Sequence, residues 1–520
     1  MAATADIVEN PAMGLVKDIL LVLDTLVVVY FLAYAGTNLV LLIISALHVR
    51  QTLQMAQAAV RKNDRVEAFA PHISLLVPAY NEEVTIVQSV RSLLRLNYPH
   101  YEIVIVNDGS KDRTVEVLKE AFGFVRSDID TSPVLGTATV RGLYRATMDL
   151  PPTVLRMVLV DKDNGGKADA INAGINASQG TYVASMDADS LMVDEALRAA
   201  IQPILDDPNH VMAVGGQIAL SNDCKVLDGK VLEVNLPHSW IARFQVVEYM
   251  RSFTQSRTAL GQFNALLVLS GVFALIQRET LVAAGGFLTK HIRSRVSREY
   301  VGAGVDTVCE DMEVVVRLHR FLMDNHIVGR VVFLPQPTSW TEAPEEYVSL
   351  GKQRSRWYRG LLEVLWFHRK MMFNRRYGRI GMFSLPYQLL FEALAPVIET
   401  LGYLVVPLSA AAGLLDWSAM ASFLLFAIGF NLLLSAGSVL SAIARVRLPN
   451  RLTDRALFDY RGPKTILVLV FAGLLSNLGY RQYLLWWQLK GLRDWLKGRK
   501  SWDKFSRKGF QGAGTGPKAG

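Results

Sequence analysis

The chain has 520 residues, of which 51% are hydrophobic and 20% are charged, and its mean hydropathy is +0.23. A chain of this length is too long to fold around one hydrophobic core. Together with the hydropathy, the length favours a soluble part joined to membrane spans over a purely soluble protein. The formal net charge of +8 does not indicate nucleic acid as a partner, because lysines and arginines cluster beside apolar runs, at 445–461 and 490–508, a pattern typical of contact with membrane lipid.

Four apolar runs are each long enough to cross a bilayer, which takes about 20 residues. They are Ile19 to Leu47, Met382 to Leu415, Ala419 to Ala444 and Ile466 to Leu489. Residues 1–18 are weakly acidic, whereas basic residues follow the first run. The charge asymmetry predicts an extracytoplasmic amino terminus over 1–18, a transmembrane helix over 19–47 and a cytoplasmic linker over 48–71.

Between residues 72 and 346, short apolar runs alternate with amphipathic stretches, which is the βαβα order of an α/β domain with a parallel sheet. Strands are predicted for Ile73 to Val77, Ile103 to Val106, Met157 to Val160, the stretch from Thr181 to Asp187, Val211 to Gly215, Leu266 to Ile276 with an interruption at Ser270-Gly271, and Arg330 to Leu334. Helices are predicted for Thr85 to Leu96, Thr114 to Phe122, Lys167 to Ala177, Asp194 to Leu205, Trp240 to Phe253 and a segment that follows Cys309 and continues through Phe321. Residues 123–156 give no clear prediction apart from a short strand at their end.

Polar clusters follow the predicted strands at their carboxyl ends. They are Pro78-Ala-Tyr-Asn-Glu-Glu83, Asn107-Asp-Gly-Ser110, Gly165-Gly-Lys167 and Asp187-Ala-Asp189. Because open α/β sheets bind ligands at the carboxyl ends of their strands, we expect these clusters to converge on one crevice.

Asp187 and Asp189 stand one residue apart at the end of an apolar strand. Two carboxylates in this position suit Mg²⁺ or Mn²⁺, which prefer oxygen ligands and complete their shell with phosphate. The alternative is purely structural: Asp187 ends the strand, and Asp189 or Ser190 caps a helix that begins near Val193.

The remaining clusters also have structural alternatives. Gly165-Gly-Lys167 could hold a diphosphate at a helix start or be a solvated turn, and it lacks the spacing of a Walker loop. Glu310-Asp311 could simply place favourable charge in the first turn of a helix. Gln353, Arg356 and Trp357 could be juxtamembrane residues. The two cysteines, Cys224 and Cys309, are far apart and are expected to be packed thiols.

The carboxyl-terminal part is predicted to lie at and in the membrane. Residues 347–378 are basic and aromatic and suit an interfacial helix, and 379–490 suit transmembrane and interfacial helices. Polar residues, including Asn477 and Arg481, interrupt the last apolar run, which predicts a hairpin or re-entrant element that returns a basic tail, 491–520, to the cytoplasm. A second interfacial helix is expected over Leu452 to Arg461, and disorder over Gly509 to Gly520.

Taken together and in this order, the motifs resemble those of the family-2 glycosyltransferases of GT-A fold, in particular the membrane-integrated processive synthases of cellulose, chitin, hyaluronan and poly-N-acetylglucosamine. The resemblance covers about Ile73 to Gly360. It implies a Rossmann-like GT-A domain, 72–346, inserted between transmembrane helices.

The resemblance also implies roles for single residues. Those that would bind the nucleotide sugar are Ala79, Tyr80, Glu82, Asp108, Lys167, Asp187, Gln353 and Arg356. Asp187 and Asp189 would bind the metal, Asp311 would be the catalytic base with Glu310 beside it, and Gln353 to Trp357 would be the processive motif. Ser270, Gly271 and Trp357 would lie on the acceptor side.

The chemistry is consistent with these roles. Cleavage of a sugar–phosphate bond leaves charge on the diphosphate, which a metal ion, Lys167 and Arg356 can neutralise. An acceptor hydroxyl needs a base, and Asp311 can take its proton. One base without a second nucleophilic carboxylate favours single displacement, which turns an α-linked donor into a β-linked product, and Trp357 offers an aromatic face to the acceptor sugar.

The prediction is therefore an inverting, processive glycosyltransferase that polymerises a UDP-sugar at the cell inner membrane, with its catalytic domain in the cytoplasm. Its expected partners are the donor, the growing polysaccharide, membrane lipid and export subunits. One alternative is transfer of a single sugar to a lipid or polyprenyl phosphate, and another is a non-catalytic subunit that guides a polymer. Dinucleotide-dependent oxidoreduction is poorly supported, because no Gly-x-Gly-x-x-Gly follows the first strand.

Overall fold

A computed structural model describes residues 11–61, 63–446, 460 and 462–499. A mixed sheet of ten strands lies at its centre, in the order β3-β4-β5-β2-β1-β6-β11-β8-β12-β7. The strands are β1 Ile73–Ala79, β2 Tyr101–Asp108, β3 Phe124–Arg126, β4 Val140–Ala146, β5 Val154–Lys162, β6 Tyr182–Ser185, β7 Ser190–Met192, β8 Val211–Leu220, β11 Ala274–Gln277 and β12 Arg330–Thr341. A separate antiparallel pair consists of β9 Lys225–Leu227 and β10 Lys230–Glu233.

Helices cover both faces of this sheet. Those of the soluble domain and of its approach are α2 Asn63–Phe69, α3 Ile86–Leu93, α4 Thr114–Phe122, α5 Lys167–Ala177, α6 Ala196–Asp206, α7 Trp240–Tyr249, a π-helix Met250–Arg257, α8 Thr258–Gln262, α9 Arg278–Ala283, α10 Arg295–Tyr300, α11 Glu310–Asp324 and α12 Tyr347–Phe367. The predicted α/β class is confirmed.

The central strands β5, β2, β1 and β6 run parallel, as their continuous apolar sequences predict. They are almost entirely buried, and α5 packs across β1 and β2, with Gly174 close to Leu76 and Val106. The carboxyl ends of the strands therefore meet at one edge of the sheet, as expected. The antiparallel pair β3 and β4, at the far edge, fills the region for which the sequence gives no clear prediction.

Three local expectations differ from the structure. The structural alternative for Asp189 and Ser190 is wrong: they do not cap a helix, because Ser190–Met192 pairs with β12 as strand β7 and the helix begins only at Ala196. The strand predicted from Leu266 to Ile276 is interrupted at Ser270-Gly271 as predicted, by a turn in which Phe273 N donates to Ser270 O, but only the part after the turn, Ala274–Gln277, is a strand.

The third error concerns the end of the last strand. It does not stop before Pro335 but continues to Thr341. Register shifts against β8 between Leu334 and Ser339 accommodate the two prolines, which cannot donate to the sheet.

Within the described ranges, three helices are long and apolar enough to cross a membrane, at Gly14–His48, Ile380–Ala411 and Trp417–Ala442. A fourth candidate is the pair α16 Pro463–Leu475 and α17 Tyr480–Leu496, which is bent by 52°. The bend lies at Asn477 to Gly479, where polar residues interrupt the apolar run. Whether this break is re-entrant stays a prediction.

The first span is part of α1 Pro11–Arg61, so residues 48–61 of the predicted linker continue the helix. The second span contains two π-helical turns, Ile380–Ser384 and Leu389–Ala393, around α13 Leu385–Gln388, and ends as α14 Ala395–Ala411; the third is α15 Trp417–Val446. The predicted interfacial helix at Leu452 to Arg461, apart from residue 460, and the predicted disorder at 509–520 lie outside the described residues.

The soluble domain is attached to the spans through the π-helix. Gln255 Nε2 donates to Asn38 O of α1 at 2.7 Å, and Ser438 Oγ of α15 donates to Gln255 Oε1 at 2.9 Å. Arg251 Nη2 donates to Ser435 Oγ of α15 at 2.6 Å. These polar contacts fix the domain against two of the candidate spans.

Candidate active site

Charged side chains from three elements meet in a pocket beyond the carboxyl end of β6. Lys167, the first residue of α5, places Nζ 2.5 Å from Asp187 Oδ1 and 3.0 Å from Glu310 Oε1. Asp187 follows β6, and Glu310 opens α11. The pocket has an empty volume of about 270 Å³, and Ser270, Gly271 and Asp311 line it with Lys167 and Glu310.

Asp311 is held from several directions. Its Oδ2 accepts from Gly271 N at 3.2 Å, and its Oδ1 accepts from Met312 N at 2.8 Å and from Cys309 Sγ at 3.3 Å. Burial and the neighbouring Glu310 charge raise the pKa of Asp311 above its ordinary value. A raised pKa suits a carboxylate that must take a proton near neutral pH.

The pKa of Glu310 is shifted in the opposite direction. Burial alone would raise its pKa, but the Lys167 ammonium and, more weakly, the Arg356 guanidinium hold it below the ordinary value. Two adjacent carboxylates whose pKa values are pushed apart can take different roles. The Lys167 charge thus favours the ionised form of Glu310, whereas burial favours the protonated form of Asp311.

Lys167 stays charged in this pocket. Its burial would lower the pKa, but Asp187 and Glu310 hold it above its ordinary value. A fixed ammonium group at the start of a helix can stabilise phosphate charge. Contact of Lys167 with a donor diphosphate stays a prediction.

Asp187 and Asp189 are close enough for their charges to interact. Burial and, among the charges, the repulsion from Asp189 raise the pKa of Asp187. Asp189 is only 6% exposed and lies directly before β7. A divalent cation relieves such repulsion, and the carboxylate oxygens are the donors that Mg²⁺ and Mn²⁺ prefer.

The protein does not complete a metal shell by itself. Among residues 11–61, 63–446, 460 and 462–499, no group of three His, Cys, Asp or Glu side chains is placed to hold a metal ion. Two carboxylates fit a cation that takes its other ligands from phosphate and water. The donor set of Asp187 and Asp189 therefore fits the expected Mg²⁺ or Mn²⁺.

Ala79, Tyr80 and Glu82 lie at the same edge of the sheet, at the carboxyl end of β1, which pairs with β6. Ala79 is buried and Tyr80 is half-buried. Glu82 receives a hydrogen bond from Thr85 Oγ1 at 3.0 Å, at the start of α3. Contact of these residues with a nucleotide stays a prediction.

Asp108 holds the loop that precedes Lys167. Its two carboxylate oxygens accept from Gly165 N at 3.0 Å and from Gly166 N at 2.8 Å. Lys162 Nζ, fully buried, lies 2.5 Å from Asp108 Oδ1 and 2.7 Å from Asp169 Oδ1. The described contacts of Asp108 thus organise the pocket, and its predicted contact with a nucleotide is not tested by them.

The residues of the predicted processive motif lie on α12, which runs beside the start of α11. A side chain at Gly360 would overlap with Cys309 Cβ, so this glycine lets the two helices approach closely. Gln353 Oε1 is buried and has no hydrogen-bond partner among the described residues. The Trp357 ring is 37% exposed and lies under the Arg354 guanidinium at 4.6 Å. A buried acceptor beside an exposed indole suits the binding of a sugar hydroxyl and ring.

Two residues near Asp311 were missed as site residues. Cys309 is more than a packed thiol, because its Sγ donates to the Asp311 carboxylate, and its place directly before Glu310-Asp311 could have indicated this. Arg257, at the end of the π-helix, interacts electrostatically with Asp311, and its buried Nη1 has no hydrogen-bond partner in the part of the chain that the structure describes. Burial lowers the pKa of Arg257 to about 10. No motif in the sequence marks it.

Comparison with protein families gives two matches. The family described as "Glycosyl transferase family 2" matches residues 74–149, and "Glycosyl transferase family group 2" matches residues 182–440. The second range contains Asp187 and the pocket residues Gly271, Glu310 and Asp311, whereas Lys167 lies between the two ranges.

Curated relatives include poly-beta-1,6-N-acetyl-D-glucosamine synthases. The protein of this name from Staphylococcus epidermidis is 28% identical over 293 residues, which are 56% of this chain and 55% of the relative. That from Staphylococcus aureus (strain COL) is 28% identical over 300 residues, with the same coverage. The chain thus spans about half the length of the curated relatives that it matches.

Solved structures similar to this chain include the mannosyltransferase PcManGT from Pyrobaculum calidifontis in complex with GDP-Man and Mn²⁺. It shares 17% identity at a TM-score of 0.47, over 85% of this chain and 99% of that one. Residues 1–349 of S. aureus TarS in complex with UDP-GlcNAc share 14% identity at a TM-score of 0.34, over 82% of this chain and 92% of that one.

Proposed function

This chain belongs to glycosyltransferase family 2, and on that premise we propose that it is a membrane-embedded synthase that polymerises a β-linked polysaccharide from a UDP-sugar. The observation that carries the proposal is the convergence of Lys167, Asp187, Glu310 and Asp311 in one pocket. The names of the curated relatives make UDP-N-acetylglucosamine the first donor to test.

The donor would lie with its diphosphate between Lys167 and the carboxylates that follow β6. Mg²⁺ or Mn²⁺ at Asp187 and Asp189, when bound, supplies further positive charge for the leaving diphosphate. Lys167 would exchange its contacts with Asp187 and Glu310 for contacts with phosphate oxygens as the donor enters. Arg356, whose charge already acts on Glu310, would add to this stabilisation.

Asp311 would act as the base. The Gly271, Met312 and Cys309 donors orient its carboxylate, and its raised pKa lets it accept the proton of the acceptor hydroxyl. The hydroxyl oxygen bonds to the anomeric carbon as the bond from that carbon to the diphosphate breaks. Attack from the face opposite the diphosphate inverts the anomeric centre.

Processive elongation rests on the acceptor side of α12. Gln353 Oε1 would accept from a hydroxyl of the polymer, and the exposed face of Trp357 would stack on its terminal sugar. The candidate spans begin soon after this helix, so a growing chain could pass between them. We place the catalytic domain on the cytoplasmic side of the inner membrane.

The test uses the full chain purified into nanodiscs with Mg²⁺ or Mn²⁺. We expect UDP release and a polymer from one of UDP-N-acetylglucosamine, UDP-glucose or UDP-glucuronate. Asp311→Asn should lose about a hundredfold to ten-thousandfold in turnover, the scale of a lost general base. Asp130→Asn, at an exposed carboxylate, is the matched control and should keep full activity. Full turnover by Asp311→Asn would contradict the assignment of the base.

A second function, transfer of one sugar to a polyprenyl phosphate or another lipid, is favoured by the apolar spans beside the pocket. The two functions predict different products. A ladder or smear of long products on a gel supports the synthase, whereas a single glycolipid band supports lipid transfer. A non-catalytic subunit would release no UDP with any donor.

A further inference from the structure

The segment between α12 and the second candidate span carries dense positive charge. We call residues 366–379 the basic collar. It contains five cationic side chains and no carboxylate. The five are Arg369, Lys370, Arg375, Arg376 and Arg379, and all are exposed. Because the span begins at Ile380, all five charges lie in the eleven residues that precede the apolar helix.

The basic collar has an inner face that is fixed in the protein core. Met371 and Tyr377 are buried in one cluster with Ile380, Met312 and Val316. His368, at the start of the collar, is fully buried as well. The segment is therefore an ordered surface with one face in the core, and its cations share the opposite face.

Two large apolar side chains lie on that outer face. Trp366 is 55% exposed and Phe373 is 60% exposed, and the Arg369 guanidinium lies 4.3 Å from the Trp366 ring. Arg379 Nη1 donates to Phe263 O at 3.0 Å, which brings a third exposed ring, 42% exposed, to the edge of the collar. Aromatic rings beside cations are the composition typical of a membrane interface.

The backbone of Phe373 adds an independent observation. Its φ is +55°, a left-handed conformation that costs about 1–2 kcal/mol for a bulky side chain. Its N–H donates to Gly381 O at 2.9 Å, so the conformation is fixed by the start of the span. The result is a ring that points away from the core, although burial would have stabilised it more.

We propose that the basic collar binds the headgroups of anionic phospholipids while Trp366 and Phe373 enter the interfacial layer of the bilayer. The charge is complementary to lipid phosphate, and the surface is continuous with a helix that has the length and composition of a span. This inference does not rest on the proposed glycosyltransferase reaction.

Lipid binding at this surface would also act on the catalytic helix. Tyr377 Oη donates to Asp324 Oδ1 at 3.2 Å, and Arg376 Nη2 lies 2.9 Å from the same carboxylate, at the end of α11. At the other end of α11, Met312 follows Asp311 directly and packs in the same cluster as Met371. The collar thus contacts the carboxyl-terminal end of α11, and its buried residues share a hydrophobic cluster with Met312 near the other end.

Photocrosslinking of the full chain in nanodiscs, without any sugar donor, tests the proposal. One sample contains a photoreactive phosphatidylglycerol and the other a photoreactive phosphatidylcholine with the same tails. Peptides that carry lipid are mapped by mass spectrometry. We expect several-fold more crosslinking of residues 366–379 by phosphatidylglycerol than by phosphatidylcholine. Equal crosslinking by the two lipids would overturn the proposal.

Two variants sharpen the test. Lys370→Glu with Arg375→Glu should abolish the preference for phosphatidylglycerol, while Arg126→Glu with Arg145→Glu, the same charge change on the edge strands β3 and β4, should leave it unchanged. Phe373→Asn removes the ring and places a residue that tolerates left-handed backbone, so it should keep or raise the melting temperature while tail crosslinking falls. A lower melting temperature would show that the ring serves the fold.

Discussion

Replacing Gly271 with alanine tests whether the Lys167 ammonium group must lie where the structure places it. An alanine Cβ at this position would be 2.7 Å from Lys167 Nζ and 3.8 Å from both Asp311 Oδ2 and Glu310 Oε1. Gly271 does not have the left-handed backbone that would strain an alanine. The only severe overlap is with the end of a flexible side chain, which can retreat by about 1 Å to ordinary contact distance.

The free energy of unfolding should therefore change by no more than about 1 kcal/mol, with alanine gaining some stability from a stiffer unfolded chain. Activity should respond much more strongly. A hydrogen bond to a charged group contributes about 1.5–3 kcal/mol, so displacement of Lys167 from the diphosphate should lower kcat/KM by about tenfold to a hundredfold.

The assay is UDP release by the full chain in nanodiscs, with a thermal melt of the same preparation. Gly429→Ala is the matched control, because an added Cβ there meets nothing within 4 Å. An unchanged kcat/KM in Gly271→Ala would refute the role of Lys167. A large fall in melting temperature would refute the reasoning that the lysine simply moves aside.

Three further predictions follow from the same pocket. Asp311→Asn should melt at a higher temperature than the wild type at neutral pH. Burial raises the pKa of Asp311 in the folded protein above its value in the unfolded chain. Ionisation of Asp311 therefore lowers the free energy of unfolding as pH rises above the unfolded pKa, and asparagine, which is neutral, avoids this loss. The difference should vanish near pH 4, and an equal melting temperature at neutral pH would contradict it. Glu310→Gln removes the repulsion that raises the Asp311 pKa, so the acid limb of the kcat/KM profile should move to lower pH; a shift upward would reverse the assignment. Trp357→Ala should shorten the polymer on a gel with little change in UDP release per short acceptor, and unchanged product length would remove the indole from the acceptor path.

The sequence predicted the elements that bury one continuous apolar face. Helices α4 and α5 begin and end at the predicted residues, and the central parallel strands differ only at their ends, because local periodicity and burial coincide there. The errors have tertiary causes. Ser190–Met192 becomes a strand because β12 lies beside it, and the strand passes Pro335 because β8 supports it through register shifts.

The candidate site likewise has features that the local sequence indicates and features that depend on tertiary packing. Lys167, Asp187, Glu310 and Asp311 meet because each stands at the end of a helix or strand, where the sequence pattern is easiest to read. The sequence could not indicate that the Asp108 carboxylate accepts hydrogen bonds from Gly165 N and Gly166 N, because these contacts depend on the conformation of the loop before α5. The interaction of Arg257 with Asp311 could not be predicted either, because it depends on how the π-helix packs against the rest of the domain.

The close packing of α12 against α17 has a consequence for biosynthesis. A side chain at Gly351 would overlap with Trp487, and one at Gly491 would crowd the backbone of Ser355. Each glycine therefore allows the two helices to approach closely. Yet α17 is the last described helix to leave the ribosome, well over a hundred residues after α12. The helix that carries Gln353, Arg356 and Trp357 therefore lacks its neighbour throughout translation of the intervening spans. A chain that ends before α17 would therefore leave the face of α12 that packs against α17 uncovered.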